Sequence, residues 1–203
     1  MEWWELFGIS FGIRNHKECL SPVDDTSIYH GVEIGTKLYF TGYDMVSDRY
    51  ELCYLDEETN EMHGVDKWYS TSVEFKDLLY VNGKIITVEN PYANRFIKEE
   101  DLPKNASLSS IDPATLKLKS IPLDSKKIIA SYVFENHIRV VTVDNQLLEY
   151  TSDLELISET DLSGTEFVQL FSNADQKLHR IRTLGNKVAA IVTEKNTTAT
   201  VLG

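Results

Sequence analysis

The stretches that decide the fold are Gly35-Thr36-Lys37-Leu38-Tyr39-Phe40, Asn82-Gly83-Lys84-Ile85-Ile86, Asn136-His137-Ile138-Arg139-Val140 and Gly185-Asn186-Lys187-Val188-Ala189. Each interrupts an apolar run at a turn dipeptide and then restarts it with alternating apolar residues. They recur about every fifty residues, a spacing that marks stacked supersecondary units. The runs are rich in Val, Ile, Thr and Tyr and are bounded by Asn, Gly, Asp and Pro, the composition of strands joined by hairpins. The chain therefore reads as all-β, built from antiparallel four-stranded repeats.

Four blocks follow, at about 27–65, 73–123, 127–162 and 167–203. The first is expected to end in a weak strand over 61–65, with Asp66-Lys67-Trp68-Tyr69 joining it to the second. The second carries a long insertion at 89–106 and an outer strand over 116–123. The fourth is expected to hold strands at 167–171, 178–183, 187–193 and 198–202 and to lack an outer strand. Residues 1–26 do not fit the period and form an N-terminal extension. Within it, Phe7, Ile9, Phe11 and Ile13 alternate as in a strand, while Gly8 and Gly12 weaken a helix.

A second register supports the period. Tyr54-Leu55-Asp56-Glu57-Glu58-Thr59 lines up with Ser110-Ile111-Asp112-Pro113-Ala114-Thr115. Asp at the first corner of a turn bonds the backbone two residues on, and Pro presets φ at the next position. Here residues 27–202 resemble the generic β-propeller repeat, in which a strand ending in apolar-Asp-x-x-Thr feeds an outer strand. The resemblance is to an architecture, because Trp-Asp dipeptides, kelch double glycines and the quinoprotein tryptophan motif are all missing. It implies a β-propeller or a partial one. Four blades are near the minimum. Three arrangements stay open: Phe7–Ile13 closes the ring, the chain belongs to a larger ring, or the array is open and self-associates through its edges.

Composition narrows the function. Net charge is −12, which repels phosphate backbones and makes nucleic acid a poor partner. No apolar stretch is long enough for a spanning helix. The N-terminus carries Glu2 and Glu5 and no basic region, so as written it is not a signal peptide and the expected compartment is the cytoplasm. An upstream signal would make it extracellular or cell-surface. Cys53 sits in an apolar run and reads as a core residue, and a Cys19–Cys53 disulfide requires an oxidising compartment.

No motif carries chemistry. His16, His30, His63, His137 and His179 are scattered without metal-ligand spacing. There is no calcium loop, nucleophile elbow or phosphate loop. No catalytic residue, metal or cofactor is expected. The candidate binding residues are Tyr92, Arg95 and Phe96 in the insertion, joined by Trp68, Tyr69, Tyr43 and Arg49. In a propeller, connections between blades share a face with connections between the two middle strands of a blade. Tyr, Trp and Arg are the residue types that anchor protein interfaces. The leading expectation is a non-enzymatic protein-binding module or scaffold that uses this loop face. The alternatives are a small-molecule-binding or hydrolytic propeller with a site shared between blades, and a fragment of a larger propeller protein.

Overall fold

The structure is a computed structural model and describes residues 26–44, 49–70, 72–93, 97–165, 168, 176–184, 187–194 and 197–202. The described strands form four antiparallel sheets in sequence order. The first holds β1 (Thr26–Ile34), β2 (Lys37–Asp44), β3 (Arg49–Asp56) and β4 (Glu61–Ser70). The second holds β5 (Val73–Val81), β6 (Lys84–Pro91), β7 (Ser107–Ile111) and β8 (Leu118–Pro122). The third holds β9 (Ile128–Phe134), β10 (His137–Thr142), β11 (Gln146–Tyr150) and β12 (Leu156–Asp161). The fourth has three strands, β13 (Gln176–Leu184), β14 (Lys187–Glu194) and β15 (Thr197–Leu202). The four restarts that set the period are the first hairpins of the four sheets.

Turn chemistry explains where the strands stop. Asn82 and Gly83 both take positive φ, 48° and 78°, as a two-residue hairpin with primed geometry requires. Glu135 and Asn136 do the same between β9 and β10. At the corners after β3 and β7, the Asp56 and Asp112 carboxylates accept backbone N–H groups from Glu58 and Ala114, at 3.0 and 2.8 Å. The backbone N–H groups of Ala114 and Thr115 hold the Asp112 carboxyl below the usual carboxylate range.

The chain divides into two compact units, one of residues 1–74 with 92–102 and one of 75–91 with 103–203. In the first, Phe40, Cys53 and Leu55 pack with Leu38 and Met62 on one face of the β1–β4 sheet. In the second, the sheets stack through their faces. Leu79, Ile86, Val88 and Leu108 meet Ile128, Ile138, Val140 and Leu148 in one core. The opposite face of the third sheet supplies Ala130, Tyr132 and Val141, which pack on Ile181 of the fourth. Of the middle-strand residues expected to be buried, Phe40, Ile85, Ile86, Val140 and Val141 are buried in strands and Leu38 is half-buried, while the side chains of Val188 and Ile191 lie outside the described set; adjacent Ile85-Ile86 and Val140-Val141 point to opposite faces, so β6 and β10 are covered on both.

Several local expectations change. Glu89-Asn90-Pro91 reads as the start of the insertion, yet it ends β6, and Glu89 and Asn90 are buried. Their polar groups are consumed: Glu89 accepts from the Thr87 and Ser107 hydroxyls at 2.6 and 2.7 Å. Pro91 sits at the strand end, where a missing donor is tolerated. Asp66-Lys67-Trp68-Tyr69 belongs to β4 and is not a connection. A register shift between Glu51 and Cys53 lets pairing resume as Glu51 with Tyr69 and Tyr50 with Ser70; pairing context overrides the weak strand propensity of Gly64 and Asp66. The outer strand of the second sheet starts at Leu118, because Leu116 turns at φ 55°. The strand expected at 167–171 lies outside the described residues except for Val168, which is helical.

Candidate functional site

The expected binding residues all fall in the first unit. Tyr43 of β2 lies opposite Tyr50 of β3, which lies opposite Ser70 of β4. One row on, Gly42, Glu51 and Tyr69 align. Arg49 opens β3 opposite Asp44. The residue that follows β6 by one position, Tyr92, reaches this end of the sheet. Its N–H donates to the Ser72 carbonyl at 2.9 Å. Its ring meets the Tyr50 ring edge-on, with centroids 5.3 Å apart and planes at 88°. Such edge-to-face pairs contribute roughly 0.5–1.5 kcal/mol beyond the area they bury. Tyr50 is buried and Tyr92 half-buried. Arg95 and Phe96 lie outside the described residues. Trp68 is placed by its backbone in β4.

Tyr50 and Ser72 were not singled out by the sequence, although they anchor Tyr92. Tyr50 alternates with Leu52 and Tyr54, a pattern that reads only as a strand. A second aromatic group runs across the same sheet. Tyr54 lies 5.3 Å from Tyr39, stacks on His63 at 5.0 Å, and has the Lys37 ammonium 4.6 Å from its ring centre.

The second unit carries a charged row that sequence spacing could not reveal. Tyr132, Arg139, Glu149 and Ser158 align across β9 to β12. His137 Nδ1–H donates to Glu149 Oε1 at 2.7 Å, Arg139 donates to the same oxygen at 3.4 Å, and Ser158 donates to Oε2 at 3.3 Å. The Arg139 guanidinium lies over the Phe134 ring at 4.6 Å. Burial pushes the Glu149 carboxyl up, but the His137 hydrogen bond and the Arg139 charge outweigh it and hold the group below the usual range. Burial raises the Tyr132 phenol against the opposing Arg139 charge. A carboxylate saturated in this way is a poor proton acceptor near neutral pH, where general bases are tuned to work. The Glu149 carboxylate therefore ties β10, β11 and β12 together through side-chain hydrogen bonds. Among the described residues, no group of three or more His, Cys, Asp or Glu could hold a metal ion.

No protein-family model matches this chain, and no curated protein matches it. Solved structures match its fold. The chain is similar to the N-terminal domain of Nup159, with TM-score 0.53 and 14% identity over 86% of this chain and 43% of that one. It is similar to the computationally designed Ika4 protein, with TM-score 0.51 and 13% identity over 92% of this chain and 93% of that one. The Dos1 propeller is a further match, with TM-score 0.49 and 12% identity over 82% and 41% of the two chains. The chain spans less than half the length of the Nup159 and Dos1 chains. With its consecutive four-stranded meanders, it has a β-propeller-type repeat architecture. Folds of this kind commonly serve in protein binding.

Proposed function

We propose that this chain is a non-enzymatic protein-binding module or scaffold that engages its partner through the loop end of the β1–β4 sheet. The observation that carries the reading is the seating of Tyr92 on Tyr50 and Ser72. Tyr92 opens the insertion at the sheet end to which the backbones of Tyr43 and Arg49 belong, and we assign Arg95 and Phe96, three and four positions on, to the same surface. Aromatic and Arg side chains are the usual anchors of protein interfaces, because they bury large area with few rotatable bonds and keep a polar handle. The net charge of −12 favours a partner whose contacting surface is basic.

The test is an amide-exchange footprint. A partner is first captured from the source lysate with the full chain and then purified. On adding it, exchange should slow in residues 43–50, 66–72 and 92–98. Protection confined to β9–β12, or none at those three segments, would reject this surface.

A further inference from the structure

We propose that the second unit docks on a second copy of this chain, β8 of each copy adding to β12 of the other. Three observations lead there. First, β8 and β12 end their sheets, so among the described residues each has a strand on one side only. Second, apolar surface collects at these two edges. Six large hydrophobic side chains are exposed among the described residues, and four of them, Leu116, Leu118, Leu156 and Ile157, lie on or beside β8 and β12. Third, the two edges carry opposite charge. Lys117 and Lys119 stand at the start of β8, Glu159 and Asp161 at the end of β12, and all four are exposed. A charged edge repels its own kind. It accepts an edge of opposite sign, and that match selects the partner.

The stacking of the two sheets makes the match reciprocal. The Lys119 ammonium donates to the Asp153 carbonyl, so Lys119 lies on the face of the second sheet that meets the third. Glu159 lies opposite Leu148, which packs in the core between the same two sheets. Both charges therefore stand on the inner sides of the two layers. A two-fold axis along the strands, between the layers, sets β8 of each copy beside β12 of the other with Lys119 and Glu159 on one face. The same contact is then made twice, as a closed dimer requires. An axis along the sheet normal would pair β8 with β8 and β12 with β12, placing like charges side by side. Backbone bonds across the seam supply affinity, as in other cases of strand addition. The register shift at Tyr150 confines regular pairing on β12 to its last four residues, so the dimer belongs to the weak, concentration-dependent class. The net charge of −12 opposes association at long range, but at physiological salt that repulsion is screened beyond about 8 Å and contact pairs decide. This surface lies in the second unit, whereas the partner surface proposed above lies in the first, so neither depends on the other.

The experiment is sedimentation velocity on the full chain at physiological ionic strength, from low to high micromolar concentration. The expected result is an equilibrium of monomer and dimer. Lys117→Glu/Lys119→Glu makes both edges acidic, and Glu159→Lys/Asp161→Lys makes both basic. Each variant alone should dimerise at least about tenfold more weakly than the parent, because several attractive pairs become repulsive at once. An equal mixture of the two variants should recover the dimer, since every seam in it is complementary again. A monomeric parent, variants that dimerise as the parent does, or a mixture that stays monomeric would overturn the proposal. Amide exchange on the parent decides the matter where a variant does not fold. Exchange in residues 118–122 and 156–161 should slow as concentration rises. Equal exchange at every concentration would overturn the proposal too; if slow, it would assign the edges to another segment of the same chain, for which the alternating Phe7–Ile13, outside the described residues, is the candidate.

Discussion

The Asn90 side chain closes a two-way pair with the backbone of Ile128, accepting its N–H at 2.7 Å and donating to its carbonyl at 3.0 Å. Asn90 is the penultimate residue of β6 in the second sheet and Ile128 opens β9 in the third, so an amide side chain makes a ladder-like pair of bonds between consecutive repeats. Both residues are buried. Asn90→Ala leaves a backbone donor and an acceptor without partners, each costing about 1–3 kcal/mol. The expected loss is about 2–6 kcal/mol, read by urea denaturation. Asn90→Asp should also destabilise, since a carboxylate cannot donate to the Ile128 carbonyl.

Thr41 offers the opposite case. It is fully buried, and its hydroxyl has no hydrogen-bond partner among the described residues. Thr41→Val keeps the branched shape that suits a strand and removes the desolvated hydroxyl. Stability should rise by about 1 kcal/mol. A loss of that size, measured in the same denaturation experiment, would show that the hydroxyl is satisfied in solution.

Glu149 sets a pH dependence. In the folded chain the His137 hydrogen bond and the Arg139 charge hold its carboxyl below the usual carboxylate range, so the unfolded state binds the proton more readily. The contribution is fully present above the unfolded value and is lost as pH falls through the folded one. Between about pH 5 and pH 3, the melting temperature of Glu149→Gln should therefore fall less steeply than that of the parent. Some slope will remain, because Asp112, Asp153 and Asp161 are also held low by their own hydrogen bonds. Identical slopes would mean that His137 and Arg139 do not favour the ionised form.

Much of the fold was legible because hairpin turns and strand alternation are local signals. Asn82-Gly83 and Asp112-Pro113 announce their turns from two or three residues. The misreadings came where non-local bonds decide. Glu89-Asn90-Pro91 has the composition of a loop, but Glu89 pairs in register with Ser107, 18 residues away, and the Asn90 side chain is held by the Ile128 backbone, 38 residues away. The row Tyr132–Arg139–Glu149–Ser158 was invisible for the same reason, since its members are neighbours only through strand register. At the candidate site, the residue types Tyr92 and Tyr43 could be picked out, but the seat on Tyr50 and Ser72 could not.

The binding reading is tested most directly by melting temperature and partner capture on one preparation of Arg95→Ala/Phe96→Ala. Aromatic and Arg anchors cost about 2 kcal/mol or more each when truncated in a desolvated patch, whereas rim charges cost little. Capture from lysate should be abolished while the melting temperature stays within about 2 °C of the parent, the effect expected of surface residues worth no more than about 0.5 kcal/mol to the fold. Undiminished capture by the folded double variant would contradict the assignment, and so would a fall in melting temperature that tracks the loss of capture.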